Sequence, residues 1–208
     1  PDLPYDRAEA DQVLRDGGAP TALAMNCSGK HAASRATCVA EGWDTDGHLL
    51  ADHPLQRHIT AVVDELCATD GGVRHVGVDG CGAPTHAVSL VGLARALATV
   101  VSTVDEVRTA MTSHPVLVAG PTRPATVLMT AVPGLIAKDG AEGVFIAAMP
   151  GVATVVVKVA DGASRAGAAV AASLLRAAGV AVPNDLDSDL APPARGAGAP
   201  VGRLRSLV

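Results

Sequence analysis

The spacing of apolar residues predicts helices along the first half of the chain. Residues 4–16 form a short amphipathic pattern that ends at a glycine pair. A second helix is expected over residues 29–41, with Asn26 or Ser28 as its N-cap and a glycine just after its end. The same periodicity, with proline and glycine at the boundaries, predicts further helices over residues 54–67, 87–101 and 103–112.

Short runs with strand-like patterns indicate β-structure between and after these helices. Residues 73–78 alternate like a strand and run into the turn-rich sequence DGCGAP. In the second half, a short helix over residues 124–129 precedes a meander of strands and a closing helix over residues 164–178. The strands are expected over residues 134–137, 143–148 and 153–160. Helices followed by an antiparallel sheet predict an α+β domain with flanking helices.

One domain is predicted to span residues 1–208. This length, with 49% hydrophobic residues, is enough for a sizeable core. The chain has only one Trp, one Tyr and one Phe, so that core must be built from Ala, Val and Leu. The stretch 190–200, which contains APPARGAGAP, is of low complexity and is expected to be a flexible loop.

Charge and hydropathy exclude several classes of function. A formal net charge of −5 argues against a nucleic-acid partner or a membrane-surface role, because both need clustered basic charge. No apolar run reaches the roughly 20 residues that a membrane span requires, and the N-terminal residues are polar and acidic, unlike a secretory signal. The four cysteines fall at irregular spacings, which favours reduced thiols. A soluble, cytoplasmic protein is expected.

Lysine is rare among the basic residues of this chain. Of the 16 basic residues, 13 are Arg and only three are Lys, at positions 30, 138 and 158. An amine can lose its proton near neutral pH and act as a base, a nucleophile or a ligand, whereas a guanidinium cannot. The bias therefore hints at a chemical role for these lysines, although three positions are few and chance explains any one of them.

The sequence AMNCSGKHA, residues 24–32, places a thiol, a hydroxyl, an amine and an imidazole within five residues. A helix that begins here would offer free amide N–H groups and the positive end of its dipole, which lower the pKa of a thiol. Cys27 and Lys30 are three residues apart and would share one helix face, where they could contact one substrate or one metal. An ordinary capped helix with a surface lysine explains the same residues.

The loop DGCG, residues 79–82, is a second candidate because it directly follows a predicted strand. Loops at strand ends commonly carry functional residues, but a turn with a small buried thiol fits equally well. Cys27 and Cys81 could be two thiolate ligands of zinc, which usually takes three or four protein ligands. His31 is a further candidate ligand, although a single histidine in a helix is more often structural.

A third candidate is Lys138-Asp139-Gly140, between two predicted strands. A Lys-x-Gly at the edge of an antiparallel sheet, with a serine elsewhere as nucleophile, is similar to a motif of penicillin-recognising enzymes. The match is short and therefore weak by itself; His114 and Arg123 are further candidates for the same cleft. The sequence contains no Walker loop, no GxGxxG after a strand, and no GxSxG, HExxH or EF-hand motif.

Six segments, taken in order, resemble the rhizobial-type L-asparaginase family, also called asparaginase II. They are MNCSGKHAA (25–33), HPLQRHI (53–59), VGVDGCGAPTHAVSL (76–90), HPVLVAG (114–120), AKDGAEGVF (137–145) and VKVADGASRA (157–166). Because the segments occur in the family's order and cover nearly the whole chain, the resemblance is specific.

The resemblance implies that the protein hydrolyses L-asparagine to aspartate and ammonia. It implies a fold like that of serine β-lactamases and glutaminases, and a zinc ion beside the substrate. The residues that match the family's zinc ligands are Cys27, Lys30 and Cys81. A lysine ligand must be neutral, and the metal itself would hold it in that state.

The resemblance also assigns catalytic and substrate-binding roles. Asp79 is expected near the substrate, as both a catalytic and a substrate-binding residue, and His31 is expected to bind the substrate. Lys138 would partner a catalytic serine. The family has KTG where this chain has Lys138-Asp139-Gly140, so a carboxylate replaces a hydroxyl that lies near the substrate.

The family's catalytic serines lie upstream of the CSGK motif, in an RSxxK motif and in an SHSGE-like segment. Neither is present in the 208 residues, so we expect the chain to be the C-terminal two-thirds of a family member, with the N-terminal part missing. The alternative function is a catalytically inactive remnant that still binds zinc, asparagine or a partner chain. A cysteine nucleophile at Cys27 or Cys81 is a third, weaker hypothesis. L-Asparagine is the expected small-molecule partner, and a homodimer is left open.

Overall fold

Helices and small antiparallel sheets follow one another along the part of the chain that the structure describes. The structure is a computed structural model that describes residues 1–191 and 193–207. Contacts divide the chain into two units, Pro1–Ala96 and Leu97–Val208. The mixture of helices and antiparallel sheets confirms the predicted α+β class.

The first unit contains helices and one β-hairpin. Its elements are α1 (Arg7–Arg15), α2 (Ser28–Glu41), α3 (Pro54–Cys67), β1 (His75–Val78), β2 (Pro84–Ala87) and the beginning of α4 (Leu90–Thr103), which continues into the second unit. Strands β1 and β2 pair antiparallel, with Val76 opposite His86. The DGCG loop therefore forms the turn of a hairpin.

Local capping explains where the helices of this unit begin and end. α1 begins at Arg7, three residues later than predicted, because the Asp6 carboxylate accepts hydrogen bonds from the amides of Ala8 and Glu9 and acts as its N-cap. α2 ends as predicted, with Gly42 in the left-handed conformation at φ 69°. α3 has both predicted boundaries, with Pro54 in its first turn.

The second unit is a three-stranded sheet with helices packed against it. Its elements are α5 (Asp105–Ser113), α6 (Pro115–Ala119), α7 (Pro124–Ala131), β3 (Ile136–Asp139), β4 (Val144–Met149), β5 (Ala153–Lys158), α8 (Gly167–Ala177), α9 (Asp187–Leu190), β6 (Ala194–Gly196) and β7 (Ala199–Gly202). A 3-10 turn, Ser164–Ala166, leads directly into α8. The sheet order is β3-β4-β5, all antiparallel, so the predicted meander is confirmed.

Small apolar residues let helix α8 approach the sheet closely. Ala168, Ala171 and Ala172 are buried in a cluster with Phe145 of β4 and Leu175 of α8. This cluster is the main core of the second unit and, as the composition predicts, uses alanine, valine and leucine rather than aromatic residues.

Several elements differ from the predicted ones, including the short helices α6 and α9, which were not predicted. Residues 84–87 form strand β2, which was not predicted. The stretch 190–200 was expected to be loop, but it includes paired strands β6 and part of β7. The turn between them has positive φ at Ala197 (49°) and Gly198 (82°), which suits a two-residue hairpin turn. Within the described residues, no helix has the length and apolar character needed to cross a membrane.

Candidate active site

The first part of the candidate site is the N-terminal end of α2. Cys27 occupies the N-cap position, and its side chain makes no capping hydrogen bond. The prediction that Asn26 or Ser28 caps this helix is therefore wrong; Ser28 is the first helical residue, and its amide donates to the Met25 carbonyl at 3.1 Å. The first turn of α2 contains no acidic residue. The positive end of the helix dipole consequently lies beside the Cys27 thiol.

Asp79 organises the second part, the DGCG loop. Its Oδ1 accepts hydrogen bonds from the amides of Cys81 at 2.8 Å and Ala83 at 2.9 Å. Its own amide donates to the Ala83 carbonyl at 2.8 Å, and Gly82, with φ 82°, donates back to the Asp79 carbonyl. One carboxylate oxygen thus holds the turn in a single shape and sets the position of Cys81.

The two parts meet through a side-chain ion pair. Lys30 Nζ donates a hydrogen bond to Asp79 Oδ2 at 2.5 Å. The Cys27 thiol lies close enough to Cys81 to raise the pKa of the Cys81 thiol. The structure therefore brings together four candidate site residues that were predicted from separate segments, two from the start of α2 and two from the DGCG loop.

The ion pair stabilises the charged forms of both its members. Burial favours neutral Lys30, but the hydrogen bond and charge of Asp79, with the charges of Cys81 and Cys27, outweigh this and raise the pKa of the amine. Burial likewise favours neutral Asp79, but the hydrogen bonds from Lys30 and from the backbone amides lower the pKa of the carboxyl group. In this form of the protein Lys30 is an ammonium group.

The thiol of Cys81 is held in its protonated form. Burial, followed by the hydrogen bond with Cys27, raises the pKa of Cys81, and the positive charge of Lys30 only partly opposes this. All four cysteines of the chain are free thiols, and both Cys27 and Cys81 are partly exposed. A ligand that needs a thiolate must therefore displace a proton from Cys81.

Two histidines lie beside this cluster. The rings of His31 and His48 are in edge-to-face contact, with centroids 5.9 Å apart. Burial and the positive charges of Lys30 and His48 lower the pKa of His31. His48 is buried and its Nδ1 lies 2.9 Å from the Thr45 carbonyl, while its Nε2 has no hydrogen-bond partner among the described residues. Sequence analysis did not identify His48, which lies outside every recognisable motif.

In residues 1–191 and 193–207, no group of three or more His, Cys, Asp or Glu residues is arranged so that it could hold a metal ion. The ligand set that the resemblance implies contains only two such residues, because its third member is Lys30. The predicted zinc site therefore stays a prediction.

Lys138, the remaining predicted catalytic residue, belongs to the second unit. It lies on β3, the edge strand of the sheet, where its side chain is exposed and its Nζ donates to the Asp139 carbonyl at 2.6 Å. The neighbouring Asp139 side chain is buried, and its Oδ2 accepts a hydrogen bond from Arg123 at 2.5 Å. Arg123 was nominated only as a residue lining a cleft; the structure pairs it with the carboxylate of the KDG segment.

A polar cluster of this kind, with two thiols, an amine and a carboxylate at a helix start, is typical of a catalytic or ligand-binding centre. The chain belongs to the L-asparaginase II family, whose family model matches residues 1–206. Membership indicates an asparaginase-type amidohydrolase that acts on asparagine. No curated protein matches this chain.

Proposed function

We propose that this protein hydrolyses the side-chain amide of L-asparagine to give aspartate and ammonia, with a zinc ion beside the substrate. The family match supports the reaction. One observation carries the assignment to this site: the Lys30–Asp79 ion pair joins the helix start that holds Cys27 to the loop that holds Cys81, and the charges of both cysteines act on the pKa of Lys30.

The donor set fits zinc. Cys27 and Cys81 supply two sulfur atoms of the kind that zinc prefers as ligands, and Cys27 lies close enough to Cys81 to raise its pKa. When bound, zinc would polarise or orient the substrate carbonyl. Lys30 would supply the third protein ligand once its amine has lost its proton and released Asp79.

Release of Lys30 would give Asp79 a second role. Its Oδ1 is occupied by two backbone amides, so the loop keeps its shape while Oδ2 becomes free to accept another donor. We assign that donor as the α-ammonium group of asparagine, because a carboxylate prefers a charged partner. His31, whose pKa is lowered, offers a neutral imidazole for a further hydrogen bond to the substrate.

The nucleophile in this proposal is a serine upstream of the CSGK motif, and Lys138 in its neutral form accepts the proton of that serine. Two features of the second unit support a fold like that of serine β-lactamases and glutaminases: an antiparallel sheet with Lys138 on its edge strand, and a long helix, α8, packed on strands β4 and β5. The four free thiols fit a reducing compartment, the cytoplasm.

Metal analysis of the purified chain tests the zinc site. After zinc loading and dialysis we expect about one zinc ion per chain. Lys30→Arg keeps the positive charge but removes the ligating amine, so zinc content should fall sharply, as it should for Cys27→Ala. Lys158→Arg and Cys38→Ala are the matched controls, because neither residue lies in the cluster. Full zinc content in Lys30→Arg would contradict this ligand set.

Ammonia release from L-asparagine tests the reaction. It should be measured on this chain and on a version extended upstream to include the expected serine motifs. Activity that appears with the extension and is lost in Asp79→Asn would support the enzyme. Zinc binding without ammonia release from either version would instead favour the catalytically inactive, zinc-binding alternative. Thiol alkylation that leaves activity intact would exclude a cysteine nucleophile.

A further inference from the structure

The second unit contains a small cavity that the proposed reaction does not use. Its volume is about 240 Å³, and its wall combines the start of α7, the end of β3, the start of β4, the start of α8 and the end of α9. That volume corresponds to about eight water molecules. It lies below the roughly 300–1,000 Å³ of pockets for drug-sized ligands, so a small metabolite is the size class that fits.

The cavity lies on the other side of β3 from the predicted catalytic lysine. Successive side chains of a strand point to opposite faces of the sheet. Asp139 lines the cavity and Lys138, its neighbour on β3, does not. The cavity is therefore separate from the surface on which Lys138 is exposed.

One side of the cavity is rich in hydrogen-bond acceptors. Asp139 is only 8% exposed, and its Oδ1 has no hydrogen-bond partner among the described residues, since Arg123 is bonded to Oδ2. Asp189 also lines the cavity and forms no ion pair with any described residue. The other cation in the wall, Arg165, is paired with Asp161. The buried Asp139 Oδ1 therefore calls for a hydrogen-bond donor from a ligand, and the exposed Asp189 adds a second negative charge to the same wall, which favours a positively charged donor.

The part of the wall near the start of α8 favours a negatively charged group of the ligand. Gly167, the first residue of this helix, lines the cavity, but its amide donates to the Ser164 carbonyl, so the helical segment begins at the 3-10 turn Ser164–Ala166, where the N-cap residue makes no side-chain hydrogen bond. Ser164, in the preceding turn, contributes a hydroxyl group to the same wall. Amide groups at a helix start, with the positive end of the dipole, favour a carboxylate.

We propose that this cavity binds a free α-amino acid in its zwitterionic form. The ammonium group faces Asp139 and Asp189, and the carboxylate faces Ser164 and the 3-10 turn that leads into α8. Phe145 supplies an apolar wall for a short side chain. This binding site is independent of the proposed asparaginase reaction and needs no upstream residues.

Isothermal titration calorimetry on the whole 208-residue chain tests the proposal. L-Alanine is the first probe, because it has no side-chain amide to hydrolyse; propylamine and propionate each carry one half of its charge pattern. We expect L-alanine to bind at one site per chain, and each half-ligand to bind at least about tenfold more weakly. Absence of saturable L-alanine binding, or equal binding of a half-ligand, would overturn the proposal.

Substitutions then locate the bound ligand. Asp189→Asn should weaken L-alanine binding at least about tenfold, and Ser164→Ala should weaken it by a smaller factor. Asp185→Asn, an exposed aspartate of the same segment that lies outside the cavity wall, should bind as the unsubstituted chain does. Because Asp189 is exposed, the variant should fold.

Asp79→Asn separates this site from the asparaginase site. Binding that survives Asp79→Asn and weakens in Asp189→Asn supports the cavity. Binding that is lost in Asp79→Asn and unchanged in Asp189→Asn would place the amino acid at the asparaginase site. That result would overturn this inference and leave the proposed function standing.

Discussion

Lys30 Nζ and Asp79 Oδ2 are 2.5 Å apart, and their contact joins the first turn of α2 to the DGCG loop across 49 positions of sequence. Cys27 precedes Lys30 by one helical turn, and Cys81 follows Asp79 by two residues. The Lys30–Asp79 ion pair therefore links the helical turn that contains Cys27 to the loop that contains Cys81. It also favours the protonated form of the Lys30 amine.

The first prediction concerns the pKa of Lys30. Asp79→Asn removes the negative charge that outweighs burial, so the pKa of Lys30 should fall. The measurement is a pH titration of side-chain NMR signals in protein labelled at lysine, which is practical because the chain has only three lysines. The signals of Lys138 and Lys158 serve as internal references. A Lys30 titration that is the same with and without Asp79 would contradict the ion pair in solution.

The second prediction is the pH dependence of stability. The lowered pKa of Asp79 means that its contribution is fully present above its unfolded pKa of about 3.9 and is lost as the pH falls through the folded value. The raised pKa of Lys30 means that its contribution is present below about 10.4 and is lost at higher pH. The pair should therefore stabilise the fold between about pH 4 and pH 10.

Urea unfolding of Lys30→Met checks this window. The side chains are 44% and 28% exposed, so at pH 7 the variant should lose about 1 kcal/mol at most. As the pH falls through the folded pKa of Asp79, its difference from the unsubstituted chain should shrink toward zero. Lys158→Met is the control, because among the described residues Lys158 donates to backbone carbonyls and not to a carboxylate. A Lys30→Met difference that does not shrink as the pH is lowered would rule out the pair as its cause.

Local signals predicted the helices and the main sheet well, because their causes lie within each segment. Pro54 starts α3 and a left-handed Gly42 follows α2, and both can be identified from neighbouring residues alone. Strand β2 was not predicted because its sequence, PTHA, has no strand-like pattern of its own and forms a strand through its pairing with β1. The cap of α2 was misassigned because Cys27 takes the N-cap position without any side-chain hydrogen bond.

The candidate site was predicted as a set of residues rather than as an arrangement. Spacing predicted that Cys27 and Lys30 share a helix face, and residue type suggested Cys27 and Cys81 as two zinc ligands. Only the family resemblance added Lys30 to that ligand set and gave Asp79 a role. Contacts between residues distant in sequence leave no periodic pattern, so the ion pair could not be derived. His48 was missed for the same reason: its contact with His31 is a tertiary one.

The third prediction concerns the turn between β3 and β4. Gly143 has φ 68°, and a Cβ added there would lie 2.9 Å from Val159 Cβ and 3.0 Å from the Gly162 carbonyl carbon. Gly151 has a similar φ of 70°, but a Cβ there would meet nothing within 4 Å. Gly151→Ala should therefore cost only the backbone strain, about 1–2 kcal/mol. Gly143→Ala adds a steric clash and should cost about 3 kcal/mol or more.

Chemical denaturation of both glycine variants measures this difference directly. Because the two φ angles are nearly equal, the excess loss in Gly143→Ala reports the close packing of Val159 and Gly162 against the turn. Equal losses in the two variants would mean that the turn can move away from these neighbours at little cost.

The fourth prediction concerns the buried ion pair next to Lys138. Asp139 Oδ2 lies 2.5 Å from Arg123 Nη2, and the two side chains are 8% and 19% exposed. Asp139→Asn keeps the shape of the side chain but removes its charge, so the guanidinium group loses its carboxylate partner in a buried position. The free energy of unfolding should fall by about 3–5 kcal/mol.

Asp187→Asn is the matched control for this pair. Asp187 also pairs with an arginine, Arg176 at 2.8 Å, but its side chain is 64% exposed, so its loss should be below about 1 kcal/mol. The double variant Arg123→Met with Asp139→Leu removes both buried charges and should recover much of the stability lost in Asp139→Asn. Equal losses in Asp139→Asn and Asp187→Asn would show that burial does not strengthen the Arg123–Asp139 pair. A large loss confined to Asp139→Asn would establish this pair as the contact that anchors the end of β3, the strand that carries Lys138.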